Sequence, residues 1–312
     1  MNRQPHVRLM NQGDLSFADS LRALAGWNQT LENWQSLLAL APAGCFIAEW
    51  NGSPAGTVTT TCYGAELAWI GMMLVHPKVR RHGIGTALMK HCLDYLHQRG
   101  IRCVKLDATP LGKPLYENLG FRDEWPLTRW QAKAASSLPQ TYLQPTPAMR
   151  AEEASDNNSA AEITVSTNEH VRTLTDADWN AMVELDTPAF GANRRNLIAA
   201  LGSAGGRILI SETEPGWLTG YGMRPKGSGA DHLGPVVATS ISAATALVNA
   251  LLADAWSPGV YWDIPDPNIE AIELARTLRF TPQRPLMRMY LGENLRPGNP
   301  LLQYAIADPA VG

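Results

Sequence analysis

One run of this 312-residue chain groups the residue types that bind an anion: Arg80-Arg81-His82-Gly83-Ile84-Gly85-Thr86. The two arginines supply positive charge. Gly83 and Gly85 lack the Cβ atoms that would hold a phosphate away from the backbone. If a helix opens here, its first N–H groups have no intrahelical partner and carry the positive end of the helix dipole. Backbone and arginine together would then cradle a phosphate or pyrophosphate. Read alone, the same spacing also fits a tight turn with a charged face. Two familiar nucleotide loops do not fit, because the run is neither Gly-x-x-x-x-Gly-Lys-Ser/Thr nor Gly-x-Gly-x-x-Gly. The four cysteines, Cys45, Cys62, Cys92 and Cys103, form no Cys-x-x-Cys pair and no secreted framework. They read as buried thiols in a reducing cytosol, and no metal site is expected.

The flanking sequence supplies a strand before this run and a helix after it. Leu67–Val75 reads as a strand running into His76-Pro77, and an amphipathic helix continues from Gly83 to about Arg99, stopped by Gly100. Upstream come a strand from His6 to Met10, a helix through Leu21 and Leu24, and a second helix from Leu31 to Leu40. Cys45–Trp50, Asn51-Gly52 and Thr57–Thr61 read as a hairpin, since Asn-Gly between β-prone runs is a strong turn signal. A strand over Ile101–Leu106, a short helix through Leu115 and a strand from Phe121 complete the unit. Residues 131–165 then turn polar and read mostly as a linker, with room for an edge strand at Thr141–Leu143. From Val171 the order of elements starts again. Leu115–Phe121 followed by Pro126-Leu-Thr-Arg129 matches Leu274–Phe280 followed by Pro285-Leu-Met-Arg288, so the second half reads as a copy of the first.

The composition is that of a chain able to bury sizeable cores, with 45% hydrophobic and 18% charged residues. A net charge of −3 argues against a mainly electrostatic nucleic-acid binder. Residues 1–130 carry +3 and residues 131–312 carry −6, which favours the first half as host of an anionic ligand. No apolar run approaches the ~20 residues that cross a bilayer, and no secretory h-region follows Met1–Met10. A soluble, cytoplasmic protein is expected.

Ile70-Gly-Met-Met-Leu-Val75-His-Pro77, followed by Arg80-x-x-Gly-x-Gly, resembles motif A of the GNAT N-acetyltransferase superfamily. Leu115-Tyr116-Glu-Asn-Leu-Gly120-Phe121 resembles its motif B. Trp27-Asn28-Gln29-Thr30, Trp69-Ile70-Gly71, Leu106-Asp107-Ala108-Thr109 and the second copy further resemble a bacterial subgroup that joins a GNAT domain to a divergent one. The resemblance implies an α/β (α+β) fold of two tandem GNAT-like domains, each a mixed, mostly antiparallel sheet flanked by helices. Its ranges would be a catalytic domain over 1–135, a flexible polar linker over 136–165, a divergent domain over 166–295 and a C-terminal tail over 296–312.

The resemblance also implies acetyl-CoA as co-substrate. N–H groups from Arg81, His82, Gly83, Ile84, Gly85 and Thr86 would hold its pyrophosphate beside Arg80. The strand carrying Met73 and Val75 would splay from its neighbour and pair with pantetheine. The N–H of Val75 or Leu74 would polarise the thioester carbonyl. Thr109 and Gly112, where many members have asparagine and alanine, would lie along the same molecule. Tyr116 would protonate the leaving thiolate, against the plainer role of a half-buried tyrosine anchored by one hydrogen bond. Glu66 is the first candidate base and Asp107 the second, each with a structural alternative as a solvated strand end or a helix cap. Trp27, Asn28, Tyr63 and Trp69 would stand at the acceptor wall. The second copy has Ser240-Ile-Ser-Ala-Ala-Thr-Ala-Leu247 in place of the glycine loop and Ala275 in place of Tyr116, while Asn268 and Ala271 keep the family spacing. The expected activity is transfer of acetyl to a primary amine of a small molecule by direct attack in a ternary complex. Two alternatives stand beside it: a protein N-terminal or lysine acetyltransferase, and a non-catalytic acyl-CoA-binding or sensing protein. No nucleic-acid or membrane partner is expected, and a homodimer is left open.

Overall fold

Two stretches of the chain run through one order of elements in the computed structural model, which describes residues 4–133, 169–253 and 259–312. The first holds β1 (His6–Leu9), α1 (Leu15–Leu24), α2 (Leu31–Leu40), β2 (Cys45–Trp50) and β3 (Ser53–Tyr63). It continues with β4 (Leu67–Val75), α3 (Ile84–Gln98), β5 (Cys103–Ala108), α4 (Lys113–Asn118) and β6 (Arg122–Ala132). The second begins with β7 (His170–Thr173), α5 (Trp179–Phe190), α6 (Arg195–Ser203), β8 (Ile208–Glu212) and β9 (Leu218–Met223). After these come β10 (Asp231–Leu233), β11 (Val236–Ala238), α7 (Ile241–Ala253), β12 (Val260–Pro265), α8 (Ile269–Thr277) and β13 (Thr281–Gly292). A last short strand, β14 (Gln303–Ala305), has no counterpart in the first half. The expected linker and its edge strand at Thr141–Leu143 lie outside the described residues.

Local chemistry accounts for several boundaries. Asn51 and Gly52 both take positive φ (55° and 77°), the requirement of a tight hairpin turn, and Trp50 faces Ser53 across it. Thr30 caps α2 through the Asn33 N–H while Asn33 returns a bond to the Thr30 N–H. The repeat is also written in side chains. Arg8 forks onto Asp14 at 2.8 and 2.9 Å and reaches Glu49 at 2.7 Å. Arg172 makes the same fork onto Asp178 at 2.7 and 2.9 Å and reaches Glu212 at 2.9 Å.

The halves are not two separate beads. Among the described residues one sheet has the order β1-β2-β3-β4-β5-β13-β6-β12-β10, and the other has the order β14-β11-β9-β8-β7. The second half's β13 therefore lies between β5 and β6 of the first half, and β6 pairs with β12 of the second. Each crossing is fixed by the repeated arginine. Arg288 on β13 grips Asp107 on β5 at 2.9 and 2.9 Å, and Arg129 on β6 grips Asp263 on β12 at 2.8 and 2.6 Å. Both pairs are buried, so removing one partner would strand a charge at a cost of about 3–5 kcal/mol. The expected ranges 1–135 and 166–295 are interleaved by this exchange. Nor is 296–312 a loose tail: Trp262 donates to Tyr304 O at 2.7 Å, Ile306 N to Asp263 O at 3.0 Å, and residues 303–307 are buried.

Candidate active site

β4 and β5 run parallel for only three pairs, Leu67–Cys103, Ala68–Val104 and Trp69–Lys105. Beyond Trp69 the strands part and leave a cleft. A bulge sharpens the divergence. Register against β3 shifts between Thr57 and Thr59, Met72 takes φ +48°, and Thr57 Oγ1 donates to Met72 O at 2.8 Å. At the end of β4, His76 N bonds Ala55 O, so Leu74 faces β3 and the alternation turns the backbone of Val75 towards the cleft. Of the two N–H groups expected there, that of Val75 turns to the cleft and that of Leu74 to β3.

The anion run follows directly. Arg81 and Gly83 both adopt the left-handed conformation (φ +65° and +76°), and α3 begins at Ile84 with no side chain capping its N-terminus. A left-handed residue leading into right-handed helix, as Gly83 leads into Ile84, turns successive N–H groups to one side, the geometry of an anion-binding concavity. From Arg81 to Thr86 the backbone N–H groups find no partner among the described residues. Arg80 Nε donates to Val75 O at 3.2 Å and ties the loop to the strand end, while His82 Nδ1 lies 2.9 Å from Arg80 O. Gly85 works differently from the expectation. A Cβ there would come 2.9 Å from Met73 Cε and 3.4 Å from Leu115 Cδ2, so its bareness lets β4 and α4 close onto α3.

On the opposite wall, α4 presents Tyr116, which is buried against Phe121. Its hydroxyl has no hydrogen-bond partner among the described residues, and burial raises its pKa to about 12. The anchored-tyrosine alternative is therefore not what the fold shows. Gly112 makes room for this ring, since a Cβ would stand 3.0 Å from Tyr116 Cε2. Thr109 Oγ1 accepts the Gly112 N–H at 3.2 Å and shapes the turn into α4. Met72, Met73, Thr109 and Tyr116 line one cavity of about 40 Å³ together with Trp27.

Several expected residues lie elsewhere. Glu66 is in the turn before β4, at the far end from Met72 and Val75. It is half-exposed, 3.9 Å from Arg102 and 3.6 Å from Arg296, and faces a separate cavity of about 450 Å³. The structure does not bring it to Tyr116. Asp107 does line the Tyr116 cavity, but both its oxygens are held by Arg288. Asn28 is fully engaged: Nδ2 donates to Ala230 O at 2.8 Å, and Oδ1 accepts from Gly229 N and Ala230 N at 3.0 Å. Tyr63 donates to Val311 O at 2.6 Å and Trp69 to Pro309 O at 3.1 Å. Three of the four expected acceptor residues thus hold the second half in place, and Trp27 alone of the four lines the cleft. What forms the wall instead is the C-terminal segment, where Pro309 and Ala310 line the cavity and a Cβ on Gly71 would collide with the Ala310 carbonyl.

The corresponding cleft of the second half is filled. Ser240 Oγ accepts the Ala243 N–H at 3.2 Å and caps α7 from within. β14 pairs with β11, and Ile306 bonds Asp263 of β12. Asn268, which kept the family spacing, caps α8 through Ala271 N and donates to the carbonyls of Leu301 and Gln303. The chain's own C-terminal segment occupies the place that stays open between β4 and β5.

Two interleaved α/β units, one with an open splayed cleft beside an uncapped helix start, make up the fold. A model of the acetyltransferase (GNAT) family matches residues 16–121, and one of the acetyltransferase (GNAT) domain matches residues 182–305. The chain belongs to the GNAT superfamily and is a two-domain member of it. YitH of Bacillus subtilis, named an uncharacterized N-acetyltransferase, is 26% identical over 238 residues, covering 75% of this chain and 73% of that protein. MJ1207 of Methanocaldococcus jannaschii, with the same description, is 34% identical over 96 residues, covering 28% of this chain and 42% of that one. The crystal structure of a candidate acetyltransferase from Pyrococcus horikoshii superposes with a TM-score of 0.75 at 24% identity, covering 99% of this chain and 96% of that one. At that identity the last likeness concerns the fold.

Proposed function

We propose that this protein transfers acetyl from acetyl-CoA to a primary amine of a small molecule, by direct attack in a ternary complex, in the cytoplasm. The observation that supports the reading is the packing of the uncapped start of α3, with Gly85 set beside Met73, Leu115 and Val75, next to the cavity that Met73 and the unpartnered Tyr116 line together. Acetyl-CoA fits these groups by charge and by pairing. The N–H groups from Arg81 to Thr86 would take the pyrophosphate, and the free edge of β4 at Met73 and Val75 would pair with the pantetheine amides. The Val75 N–H would donate to the thioester carbonyl oxygen as negative charge grows on it. Tyr116 would give its hydroxyl hydrogen bond to the departing sulfur.

No free carboxylate faces Tyr116 among the described residues, because Glu66 is remote and Asp107 is paired. The amine would then enter uncharged, which calls for no base on the protein. The wall that Pro309 and Ala310 form beside Tyr116 supports a small acceptor over a polypeptide. The test is acetyl-CoA-dependent thiol release over a panel of amines, amino acids, aminoglycosides and peptides, with products read by mass spectrometry. Acetylated small amines support the reading. Acetylation of peptides alone would replace it with the protein-acetyltransferase reading, and tight acetyl-CoA binding without thiol release would replace it with the sensing one.

A further inference from the structure

The cavity that holds Tyr116 also holds a cation that pairs with no carboxylate among the described residues. Arg284, on the exchanged strand β13, lines it together with Leu286. Among the described residues the Arg284 guanidinium makes no hydrogen bond and no ion pair within 4 Å, and its Nε is buried and unpartnered. This sets it apart from the buried arginines around it. Arg129 and Arg288 each grip an aspartate with two bonds, and Arg194 does the same with Asp186.

The acids that face Arg284 are already engaged. Asp263 is held by Arg129, while Asp308 accepts from Gln29 Nε2 at 2.8 and 3.0 Å and from Ala310 N at 2.8 Å. Arg129 lies opposite Arg284 in the β6–β13 register, which adds a like charge. Burial and that neighbour both lower the Arg284 pKa, the direction expected of a cation lacking its counter-ion. An unpaired guanidinium turned into a cavity, with one nitrogen already stripped of water, is a receptor for a planar or tetrahedral oxyanion.

We propose that Arg284 receives an anionic group of the acceptor, so that the acceptor is a small amine carrying a carboxylate or phosphate near its amino group. The inference rests on the acetyltransferase reading of the cleft. It gives the second half a part in the site: β13 supplies the anion receptor, and the C-terminal segment supplies the wall beside it. Specificity then follows from strand exchange, because the residue that selects the acceptor comes from the half without an open cleft.

Three matched series test it on the full-length protein: amino acids, their decarboxylated amines, and aminoalkyl phosphates, each with acetyl-CoA. The wild type should favour one anionic series over the neutral amines in kcat/KM, and the preferred series identifies carboxylate or phosphate. Arg284→Gln should lower the anionic-to-neutral ratio about 10- to 100-fold, mainly through KM, as the loss of a charged hydrogen bond predicts. Arg284→Lys keeps the charge without the fork and should retain part of the preference. Since Arg284 bonds nothing among the described residues, both variants should melt close to the wild type. A wild type that favours the neutral amines, or a ratio unmoved in Arg284→Gln, overturns the proposal and leaves the acetyltransferase reading standing. If no series releases thiol from acetyl-CoA, that underlying reading fails and takes this one with it.

Discussion

Replacing Tyr116 by phenylalanine separates catalysis from stability with little ambiguity. The hydroxyl has no partner among the described residues, so its loss breaks no hydrogen bond among them, and the buried ring remains packed against Phe121. The melting temperature of Tyr116→Phe should therefore stay within a degree or two of the wild type. The kinetic effect can be sized from acidity. A phenol held at about 12 stays protonated through pH 10, so the donor is present over any practical assay range. An ordinary thiol titrates near ~8.5, well below this phenol, so complete proton transfer from the phenol to the thiolate is uphill. Tyr116 then acts as a strong hydrogen-bond donor to the leaving sulfur rather than as a fully dissociating acid. Removal of one such donor costs about 10²–10³ in kcat. The assay is thiol release at saturating acetyl-CoA and amine, from pH 6 to pH 10. The variant should be slowed about 10²-fold at pH 7, and the gap should persist to pH 10, because the donor stays protonated throughout. A variant within threefold of wild type at both pH 7 and pH 9, on an accepted amine, would refute the reasoning.

Gly83→Ala places a side chain at φ +76° with nothing within 4 Å of its Cβ, so the cost is backbone strain alone, about 1–2 kcal/mol in urea unfolding. The same change should raise the KM for acetyl-CoA more than it lowers kcat, and an unchanged KM would count against the loop. Asp107→Ala leaves Arg288 buried between Trp69 and Trp125, whose ring centres lie 4.5 and 4.1 Å away, without its carboxylate. It should lose about 3–5 kcal/mol of stability by denaturant titration, and a loss under 1 kcal/mol would show that the strand crossing does not depend on the pair. Arg8 holds Asp14, and Arg172 holds Asp178, below the usual carboxylate range. A depressed folded-state pKa stabilises the protein above the unfolded value and loses that contribution as pH falls below about 4. Melting temperature should accordingly drop between pH 5 and pH 3, less so in Arg8→Gln/Arg172→Gln, and a flat profile would dismiss the two forks as contributors.

Much of the site was legible because its parts are close in sequence. Positive φ at Gly83, the start of α3 and the position of Tyr116 on the next helix all depend on residues within a few turns of one another. Other positions could not be read that way. Asn28, Tyr63 and Trp69 have the types expected of an acceptor wall, yet each is spent on residues beyond position 228. Glu66 stands at the head of the right strand, but three paired residues separate it from the place where the cleft opens. One signal was available and went unread. His6-Val-Arg8 and His170-Val-Arg172, each six residues before its aspartate, repeat as plainly as the later motifs.

The sequence by itself determined the unit fold, the tandem repeat, the glycine turn into α3 and the place of Tyr116 on α4, since each rests on caps, turns and periodicities that neighbouring residues impose. Only the tertiary structure decided which strand lies beside which. A strand's pattern specifies a buried face but not its partner, so nothing local distinguishes β6 pairing within its own half from β6 and β13 changing places. That exchange set Arg288 on Asp107, turned Arg284 into the cleft, and let the C-terminal segment fill one cleft while walling the other.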